Sequence, residues 1–528
     1  MKHQKIQNIL IVGGGTAGWM TAAYLNQTFN ATEPTMNISL IEAANENGDN
    51  SAPQAVGCLP FLRGFFNYLG IHEQTWMGAC HASFKMATLF EGWKDGSEAD
   101  SYWHTLGNVA NHQAERLALT EHWLHKHHQG EETSFAESLQ EAVAVCKAMK
   151  TPKVAISEGR SRALPYAHHL DVQLMVQLLK KYATNRGVNH LVGDVAAIDV
   201  DESGAIRQVQ TEEHGALTAD LYVDCTGETS MLLGQTLQEK EDSYSNHLRC
   251  DAKVSITLPY GENNRYNQSA GGLKPYTTAT ALSAGWLAHI PIQICETYTY
   301  TYSSQFASKE AAEMELRQHI GDRSEQETAL HQNLQQGKKQ NLWVKNCVAI
   351  GASGGQIEAL EATDLALIQL ALRYLLYSFP DQTMDSRLQD TYNKAMNQLY
   401  ANVQDFVVLH YCLTQRADTP FWKAVKQETE IPSVLQQKLE EWKHFLPDGF
   451  DHKYDLFGSF NYVSVLAGMD YLPSKALPIL QHSLHREAEN FFKQVAHQSE
   501  QMAKKLPTQA EYFQQLIRIA NFQKNKAW

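Results

Sequence analysis

"QNILIVGGGTAGWMTAAYL", residues 7–25, is the stretch that decides the fold of this 528-residue chain. An apolar run leads into consecutive glycines and then into helix-forming residues, which predicts a strand, a tight turn and a helix. The segment "NISLIEAAN", residues 37–45, predicts a second strand that ends in Glu42. The three elements together predict one βαβ unit of a nucleotide-binding α/β core.

The glycines of this turn are spaced as GxGxxG. Gly13 permits the tight turn, Gly15 lets the backbone approach a pyrophosphate, and Gly18 lets the helix pack closely against the strand. Glu42, 29 residues after Gly13, can accept a hydrogen bond from a ribose hydroxyl. The sequence therefore predicts a dinucleotide site, although the motif alone does not separate FAD from NAD.

Two later segments favour FAD. "LYVDCTG", residues 221–227, and "NCVAIGASGGQIEALEAT", residues 346–363, are each an apolar strand that runs into a glycine turn. The second segment leads into a helix whose N-terminus can face a flavin ring or an anion, because the helix dipole is positive there. Three glycine turns on one cofactor suit a large, extended dinucleotide.

Patterning along the chain predicts the remaining architecture. Residues 190–224 alternate in polarity and contain the turn signal "DESG", which predicts a hairpin. Residues 250–305 are rich in strand-favouring Thr, Tyr, Val and Ile, and long helical patterns follow from about residue 365. We expect an α/β fold with a Rossmann-like, GR2-type FAD-binding core, an inserted β-sheet and an α-helical C-terminal part. The predicted boundaries are 1–370 for the core, about 55–110 and 240–305 for the inserted sheet, and 371–528 for the helical part.

Composition excludes several functional classes. The net charge of −14 argues against a nucleic-acid partner, which normally requires a basic patch. The N-terminal apolar run lacks a cleavage pattern, and no apolar run approaches the ~20 residues that span a bilayer, so a cytoplasmic protein without membrane contact is expected. The eight cysteines form no CxxC pair, so neither a metal site nor a disulfide framework is expected.

One lysine stands out in "CHASFKMATLFEGW", residues 80–93, because the segment otherwise favours burial. If the segment is a strand, Lys85 shares a face with Ala87 and Leu89, while Phe84 and Met86 point the other way. The ammonium group either reaches the surface along its apolar stem or lies in an apolar pocket. In a pocket, desolvation lowers the pKa of a lysine and makes it a nucleophilic amine.

Several long motifs carry a family resemblance. They are "IVGGGTAGWMTAAYL", "PFLRGFFNYLGI", "CHASFKMATLFEGW", "YVDCTG", "PYTTATALSAGWLAHIPI", "YTYSSQFAS", "NCVAIGASGGQIEALEAT" and "NYVSVLAGM". Over nearly its full length the chain resembles the flavin-dependent halogenases of the tryptophan halogenase family. The resemblance implies that reduced FAD, dioxygen and chloride or bromide give hypohalous acid, which a lysine directs onto an electron-rich aromatic ring.

The resemblance also implies the site residues. Lys85 matches the family lysine, and Glu361 matches the catalytic glutamate that polarises the halogenating species and takes the ring proton. Thr363 and Asp364 match the halide positions, and His104, Leu106, Trp286 and Tyr462 match positions near the substrate. The expected FAD-binding residues are Gly13, Gly14, Gly15, Thr16, Ala17, Gly18, Glu42, Val195, Asp224, Gly227, Gly351, Ala352 and Leu365. The helical C-terminal part is expected to complete the substrate pocket.

The sequence departs from the family pattern at several positions. Ala288 replaces the second tryptophan of WxWxIP, which opens room near the cofactor, and residues 55–60 read "AVGCLP" instead of GEATIP. Ala359 and Ala362 replace the Pro and Ser of many members. Asp364 replaces Gly or Ser beside the halide position, where a carboxylate is unfavourable unless it points away.

These departures leave alternatives open. A flavin monooxygenase is favoured by Ala288 and the altered halide loop, and a catalytically silent FAD-binding protein is the third alternative. Free tryptophan is a doubtful substrate because no glutamate is found to bind its amino group, so another indole, a phenol or a peptide-borne aromatic is also considered. With one dinucleotide fingerprint, a separate NAD(P)H-dependent flavin reductase is expected to supply FADH2. A homodimer is left open.

Overall fold

The computed structural model describes residues 5–44, 53–107, 113–114, 117–155, 163–261, 272–447, 453–482 and 485–526, without side chains beyond 518. Its strands are β1 (Asn8–Val12), β2 (Asn37–Glu42), β3 (Ala55–Gly57), β4 (Ser83–Lys85), β5 (Ala87–Glu91), β6 (Ser101–Thr105), β7 (Gln113–Ala114), β8 (Leu117–Ala118), β9 (Ala167–Asp171), β10 (Asn189–Val192), β11 (Val195–Val200), β12 (Ile206–Thr211), β13 (Gly215–Leu217), β14 (Leu221–Asp224), β15 (Glu241–Ser243), β16 (Ala252–Pro259), β17 (Tyr276–Ala281), β18 (Gly285–Pro291), β19 (Cys295–Tyr302), β20 (Leu330–Asn333), β21 (Gly337–Lys339), β22 (Trp343–Val344), β23 (Cys347–Ala349) and β24 (Gly355–Gln356).

The α-helices occupy the gaps between these strands and most of the last third of the chain. They are α1 (Thr16–Asn30), α2 (Phe61–Tyr68), α3 (Glu73–Ala79), α4 (Leu119–His128), α5 (Phe135–Leu139), α6 (Ala142–Lys147), α7 (Val172–Thr184), α8 (Lys309–Ile320), α9 (Asp364–Tyr377), α10 (Ser386–Cys412), α11 (Pro420–Glu428), α12 (Ser433–Glu441), α13 (Ser459–Gly468), α14 (Arg486–Lys505) and α15 (Gln509–Lys526).

The dinucleotide motif lies in a six-stranded sheet with the strand order β10-β2-β1-β14-β23-β22. The first five strands run parallel, and Val12 of β1 pairs with Ile41 of β2 and Asp224 of β14. Parallel strands buried on both faces are near-continuous apolar runs, as "ILIV" and "LYV" are here. The predicted βαβ unit and Rossmann-like core are therefore confirmed.

The predicted hairpin is also confirmed. β11 pairs antiparallel with β12, and β13 extends this into a three-stranded sheet beside the core. At the turn, Asp201 Oδ1 accepts hydrogen bonds from the N–H groups of Ser203 and Ala205. A short polar side chain that ties its own turn is the mechanism behind the "DESG" signal.

A seven-stranded sheet, which we call the large sheet, forms the second layer in the order β20-β16-β19-β18-β17-β5-β6. Its strands come from residues 87–105, 252–302 and 330–333, which confirms the inserted sheet. Val254, Ile256 and Tyr300 are fully buried in the cluster on one face, which α8 covers with Leu316. If α8 did not cover this apolar face of the sheet, the exposed surface would favour aggregation.

The stretch around Lys85 does not form the single strand considered above. Lys85 ends β4, which pairs with β9 in a three-stranded sheet, whereas Ala87 begins β5 in the large sheet. Met86 lies between them, where its N–H donates to Pro275 O at 2.8 Å and its carbonyl accepts from Leu106 N at 3.1 Å. The change of sheet at Met86 breaks the alternation, so the expected shared face of Lys85, Ala87 and Leu89 is wrong.

Long helices complete the molecule beyond residue 364, as expected. α10 begins at an Asp385 cap, whose carboxylate accepts from Arg387 N, and it crosses the core with Phe406, Val407 and His410 fully buried. Gly468 of α13 touches β6 so closely that a Cβ there would lie 2.2 Å from Tyr102 Cγ. In the described part of the chain, no helix is long and apolar enough to cross a membrane.

Candidate functional site

The first glycine turn has the geometry of a phosphate cradle. Gly13 has a φ of +111°, and a Cβ there would lie 2.2 Å from the carbonyl oxygen of Cys225. A Cβ on Gly18 would lie 1.9 Å from Gly13 O, so α1 packs directly on the turn. Around Gly15 the space is open, with nothing within 4 Å of an added Cβ. Tight packing on one side and open space on the other fit a pyrophosphate held at the helix N-terminus.

Glu42 closes this cradle at the end of β2. A Cβ on Gly14 would lie 2.0 Å from Glu42 Oε2, so the two residues are in contact. Glu42 Oε1 accepts from Lys180 at 2.5 Å and lies 2.8 Å from His190 Nε2, while Oε2 accepts from Trp19 at 3.2 Å. Burial works to raise the pKa of Glu42, but these bonds outweigh it and lower the pKa. The carboxylate is thus ionised and fixed where a ribose is expected.

The other two glycine turns pack beside the first. The short helical turns Gly227–Thr229 and Gly351–Ser353 lie next to each other, joined by the Ser353 hydroxyl bond to Asp224 O at 2.5 Å. A Cβ on Gly351 would lie 2.7 Å from Ala17 Cβ, which ties the third turn to α1. The three turns therefore lie beside one another, and their residues fit an extended dinucleotide such as FAD.

The remaining residues expected at the cofactor lie on these turns or on other elements of the fold. The side chain of Asp224 is hydrogen-bonded to the turn that follows it. Its Oδ1 accepts from Thr226, and its Oδ2 accepts from the N–H groups of Leu232 and Leu233. Thr16 and Ala352 are half-buried at their turns, Leu365 is buried in the first turn of α9, and Val195 is half-buried at the start of β11.

The start of α9 is the candidate anion site. Thr363 is fully buried at the N-cap, and its hydroxyl has no hydrogen-bond partner among the described residues. An orphaned buried hydroxyl is costly and is normally explained by a missing partner. Together with the free N–H groups of the helix start, it fits a small anion.

Asp364 complicates this anion site. Its side chain is exposed to solvent, although enough protein lies around the carboxyl group to desolvate it. Burial raises the pKa of Asp364, and the ammonium group of Lys253 partly opposes the rise. The raised pKa reduces the repulsion that a carboxylate would exert on a neighbouring halide.

Lys85 lies in the interior at the end of β4, with 1% of its surface exposed. Burial lowers its pKa, and the charge of Glu361 opposes that shift. Lys85 and Glu361, both within the described part of the chain, interact electrostatically without a direct ion pair within 4 Å. Lys85 is therefore a desolvated amine, as the resemblance implied.

Glu361 is fully buried and surrounded by donors. Its Oε1 lies 2.6 Å from His104 Nδ1 and 3.8 Å from His410 Nε2, and its Oε2 accepts from Thr88 Oγ1 at 3.3 Å. Burial works to raise the pKa of Glu361, but His104, Lys85 and His410 lower it overall. The site thus holds a carboxylate in the ionised form inside a dry interior.

The large sheet and α10 assemble this cluster from both sides. Thr88 of β5 and His104 of β6 are directly opposite each other in the strand register, so both face Glu361. From the other side, α10 brings His410 against Phe90, with ring centroids 4.8 Å apart. Sequence reasoning missed Thr88 and His410, and neither stands in a motif that singles it out.

The residues expected near the substrate are distributed around the same interior. His104 is bonded through both ring nitrogens, since Asn461 Nδ2 lies 2.9 Å from its Nε2. Leu106 is half-buried after β6, and Tyr462 is buried on α13, 5.3 Å from the Phe406 ring. Trp286 and Ala288 are two residues apart on β18 and both are buried. Sequence reasoning had named Tyr462 but not its neighbour Asn461.

Comparisons with known proteins agree on one family. The profile of the family described as tryptophan halogenase matches residues 8–484. The chain is 31% identical to tryptophan 6-halogenase SttH of Streptomyces toxytricini over 97% of this chain and 99% of that protein. Among solved structures, Tar14, a tryptophan C-6 flavin-dependent halogenase from taromycin biosynthesis, has a TM-score of 0.87 at 32% identity and covers 96% of this chain and 99% of its own. MibH, described as a lanthipeptide tryptophan 5-halogenase, has a TM-score of 0.80 at 25% identity, covering 96% and 93%.

Proposed function

The chain belongs to the tryptophan halogenase family, and we propose that it uses Lys85 and Glu361 to halogenate an electron-rich, indole-like aromatic substrate. It is a flavin-dependent halogenase, an oxidoreductase that works with FADH2 and halide. The observation that carries the residue assignment is the pair itself: a desolvated amine and an ionised carboxylate in one buried site. Buried charges of this kind are costly and occur chiefly where chemistry needs them.

When bound, reduced FAD together with dioxygen supplies the oxidising power that converts halide into hypohalous acid. Gly13, Gly15 and Gly18 would hold its pyrophosphate, and Glu42 would accept from its ribose. Gly227, Gly351 and the start of α9 would face its other end, with Thr363 holding the halide.

Lys85 acts on hypohalous acid. Its ammonium form donates a hydrogen bond to the hypohalous oxygen, which makes the halogen more electrophilic. Its neutral form, which the lowered pKa favours, reacts as a nucleophile: the N–H bond and the O–X bond break, an N–X bond forms and water leaves. In either form the lysine places an electrophilic halogen within reach of an aromatic ring.

Glu361 acts on the ring after the halogen is transferred. Electrophilic attack gives a cationic ring that still carries its hydrogen, and an ionised carboxylate can accept that proton and restore aromaticity. The same negative charge stabilises the cation while it exists. Both roles need the ionised form, which the partners of Glu361 maintain.

The substrate is an aromatic compound, as for the family. Leu106 makes one wall of the expected pocket less aromatic than in the family pattern, and residues near Tyr462 offer no glutamate for the amino group of free tryptophan. An indole other than free tryptophan, a phenol or a peptide-borne aromatic is therefore proposed. The name of MibH gives one precedent for a peptide substrate within this fold.

Members of the family receive FADH2 from a separate flavin reductase, and an NAD(P)H-dependent reductase is proposed as the partner here. The eight cysteines all carry free thiols, which supports a reducing, cytoplasmic location. We also propose that the chain can form a homodimer. We further propose that it is organised in two parts, residues 1–370 and residues 371–528.

A monooxygenase is the second candidate, favoured by Ala288. Its small side chain takes the place of an indole beside Trp286, so an organic substrate has more room near the flavin. In that case an oxygen atom enters the ring directly and Lys85 has no chemical role. A silent FAD-binding protein would bind flavin without forming any product.

A substrate panel separates these candidates. Indoles, phenols and aromatic peptides are incubated with chemically reduced FAD, oxygen, and chloride or bromide, and products are identified by mass spectrometry. We expect a halogen isotope pattern with the wild type and its loss with Lys85→Ala and Glu361→Gln. Full halogenation by both variants contradicts the residue assignment. Hydroxylation that survives Lys85→Ala supports the monooxygenase, and flavin binding without any product supports the silent protein.

A further inference from the structure

A hydrogen-bonded chain leads from the start of α13 to Glu361. Asn461 is the third residue of α13, and its Oδ1 accepts from the N–H of the N-cap residue Gly458 at 2.9 Å. Its Nδ2 lies 2.9 Å from His104 Nε2. Because the carbonyl oxygen of the amide is occupied by an N–H donor, the atom that faces His104 is the NH2 group. His104 Nε2 therefore accepts a hydrogen bond and carries no proton.

This assignment fixes the rest of the imidazole. A neutral histidine without a proton on Nε2 carries it on Nδ1, and His104 Nδ1 lies 2.6 Å from Glu361 Oε1. Nδ1–H therefore donates to the carboxylate, in a bond that the negative charge strengthens. The amide of Asn461 thus determines which nitrogen of His104 points a donor at Glu361.

The two oxygens of Glu361 are consequently unequal. Oε1 is held by the short bond from His104, whereas the bond that Oε2 accepts from the described residues is the long one from Thr88 at 3.3 Å. His410 does not repeat the role of His104, because its Nδ1–H donates to Phe406 O at 2.8 Å and its Nε2 has no hydrogen-bond partner among the described residues. Burial lowers the pKa of His410 to about 4, so this second imidazole is neutral at physiological pH.

We propose that Asn461 is a positioning residue that acts through His104: it holds the Nδ1–H tautomer, so that Oε1 of Glu361 is anchored and Oε2 is left as the base for the ring proton. This inference rests on the proposed function and adds the residue that orients its base. Close packing supports the placement, since Gly468 brings α13 directly against β6, the strand of His104.

The first test needs neither cofactor nor substrate. A strongly hydrogen-bonded Nδ1 proton gives a far-downfield exchangeable signal in one-dimensional proton NMR of the free protein. We expect this signal in the wild type, its loss in His104→Gln, which assigns it, and its loss or shift in Asn461→Ala. Asn393→Ala is the matched control, because Asn393 is a buried amide whose oxygen and nitrogen both bond the backbone of Trp343.

The second test measures the proton transfer itself. With a substrate deuterated at the reacting carbon, loss of the ring proton is not rate-limiting while the base is well placed, so we expect an isotope effect on kcat near ~1 in the wild type. In Asn461→Ala, deprotonation slows, and we expect kcat to fall about tenfold or more with an isotope effect above ~2 while KM changes little. Asn393→Ala is expected to keep the wild-type isotope effect even if its melting temperature falls.

The Asn461→Asp variant serves as a second test in case Asn461→Ala fails to fold. The carboxylate keeps the bond from Gly458 and places an oxygen opposite His104 Nε2, so His104 is expected to take up a second proton. A folded Asn461→Asp protein that shows this extra protonation and a wild-type melting temperature supports the chain. An unchanged NMR signal and unchanged isotope effect in both Asn461 variants overturn the inference, whereas a wild type that halogenates nothing contradicts only the proposed function.

Discussion

Glu358 and Glu361 lie three residues apart in the same loop and have opposite surroundings. Both are essentially buried. Glu361 is bonded to His104 and Thr88 and has a lowered pKa. Neither oxygen of Glu358 has a hydrogen-bond partner of good geometry in the described part of the chain, and burial raises its pKa to about 7. Tyr411 and Trp286 lie close enough to oppose that rise without reversing it.

The difference shows that burial alone does not decide the state of a carboxyl group. Desolvation pushes both pKa values upward, and only the donors around Glu361 overcome it. One loop therefore carries an ionised base beside the amine of Lys85 and, beside Trp286, an acid whose pKa of about 7 keeps a substantial fraction of it protonated at neutral pH. The base is suited to accept a proton, and the protonated acid is suited to an apolar interior.

The strongest way to break the comparison is to remove the charge of each glutamate in turn. Glu361→Gln is expected to lower halogenation by about 100-fold or more, because the ring proton loses its acceptor. Glu358→Gln is the matched control and is expected to retain most of the activity, since a pKa of about 7 leaves Glu358 only partly charged at neutral pH and it is not the acceptor of the ring proton. Product formation by mass spectrometry measures both. Equal losses in the two variants would show that the loop matters only as a structural element.

Stability against pH tests the same comparison without any assay of activity. The pKa of Glu358 is higher in the folded protein, at about 7, than its ordinary value of 4.5, so the folded state binds more protons and loses stability as pH rises between these values. Glu358→Gln removes this cost and should gain roughly 3 kcal/mol relative to the wild type between pH 4 and pH 8. Denaturant unfolding at both pH values measures the difference.

Glu361→Gln should show the opposite trend. Its folded pKa is lowered, so its contribution to stability is present above the unfolded value and is lost as pH falls through the folded pKa. The variant is therefore expected to be less stable than the wild type at neutral pH, with the gap closing in acid. Parallel stability curves for Glu358→Gln and Glu361→Gln would refute the contrast between them.

Asp364 extends the comparison to a third carboxyl group, at the anion site. Asp364 has a raised pKa, like Glu358, but it is exposed to solvent and follows the halide position Thr363 in the chain. Asp364→Gly removes the negative charge of the ionised carboxylate and should lower the halide KM about tenfold where Asp364 is ionised, with a smaller gain as the pH falls and the wild-type carboxyl group becomes protonated. Bromide titrations over a series of pH values measure it, and an unchanged halide KM throughout the series would place the carboxylate away from the anion.

The smallest expected effect concerns the weak bond to Glu361 Oε2. Thr88→Val removes the hydroxyl at 3.3 Å and leaves the volume nearly unchanged. Because that oxygen is already lightly held, we expect a change in kcat of about threefold or less. A loss as large as that of Asn461→Ala would mean that Thr88 rather than His104 orients the carboxylate, and kcat with saturating substrate distinguishes the two.

Local signals in the sequence were sufficient for the core of the fold. The GxGxxG turn at Gly13, the hairpin after "DESG" and the strand-rich inserted sheet all depend on neighbouring residues, and the structure confirms them. The break at Met86 was not predictable in this way, because it depends on pairing with Pro275 and Leu106, far away in the chain. Alternation within a segment gives no information about which sheet each half joins.

Some residues of the candidate site can likewise be predicted from local sequence, and others cannot. Lys85 and Glu361 were found because they match motifs, whereas His410 lies in a helical pattern where a buried histidine resembles any core residue. Asn461 stands in a capping position that the sequence can suggest, but its bond to His104 joins residues 357 positions apart. Only the folded arrangement shows that one amide controls the donor that reaches Glu361.

The most direct test of the central claim is to determine whether halogen or oxygen is added to the substrate. The enzyme is given reduced FAD, bromide and ¹⁸O2 with the best aromatic substrate of the panel, and the product is examined by high-resolution mass spectrometry. The account predicts the bromine isotope doublet with no ¹⁸O in the product, and its loss in Lys85→Ala. A product that carries ¹⁸O and no bromine, in equal yield from the wild type and Lys85→Ala, would contradict the account and identify a monooxygenase.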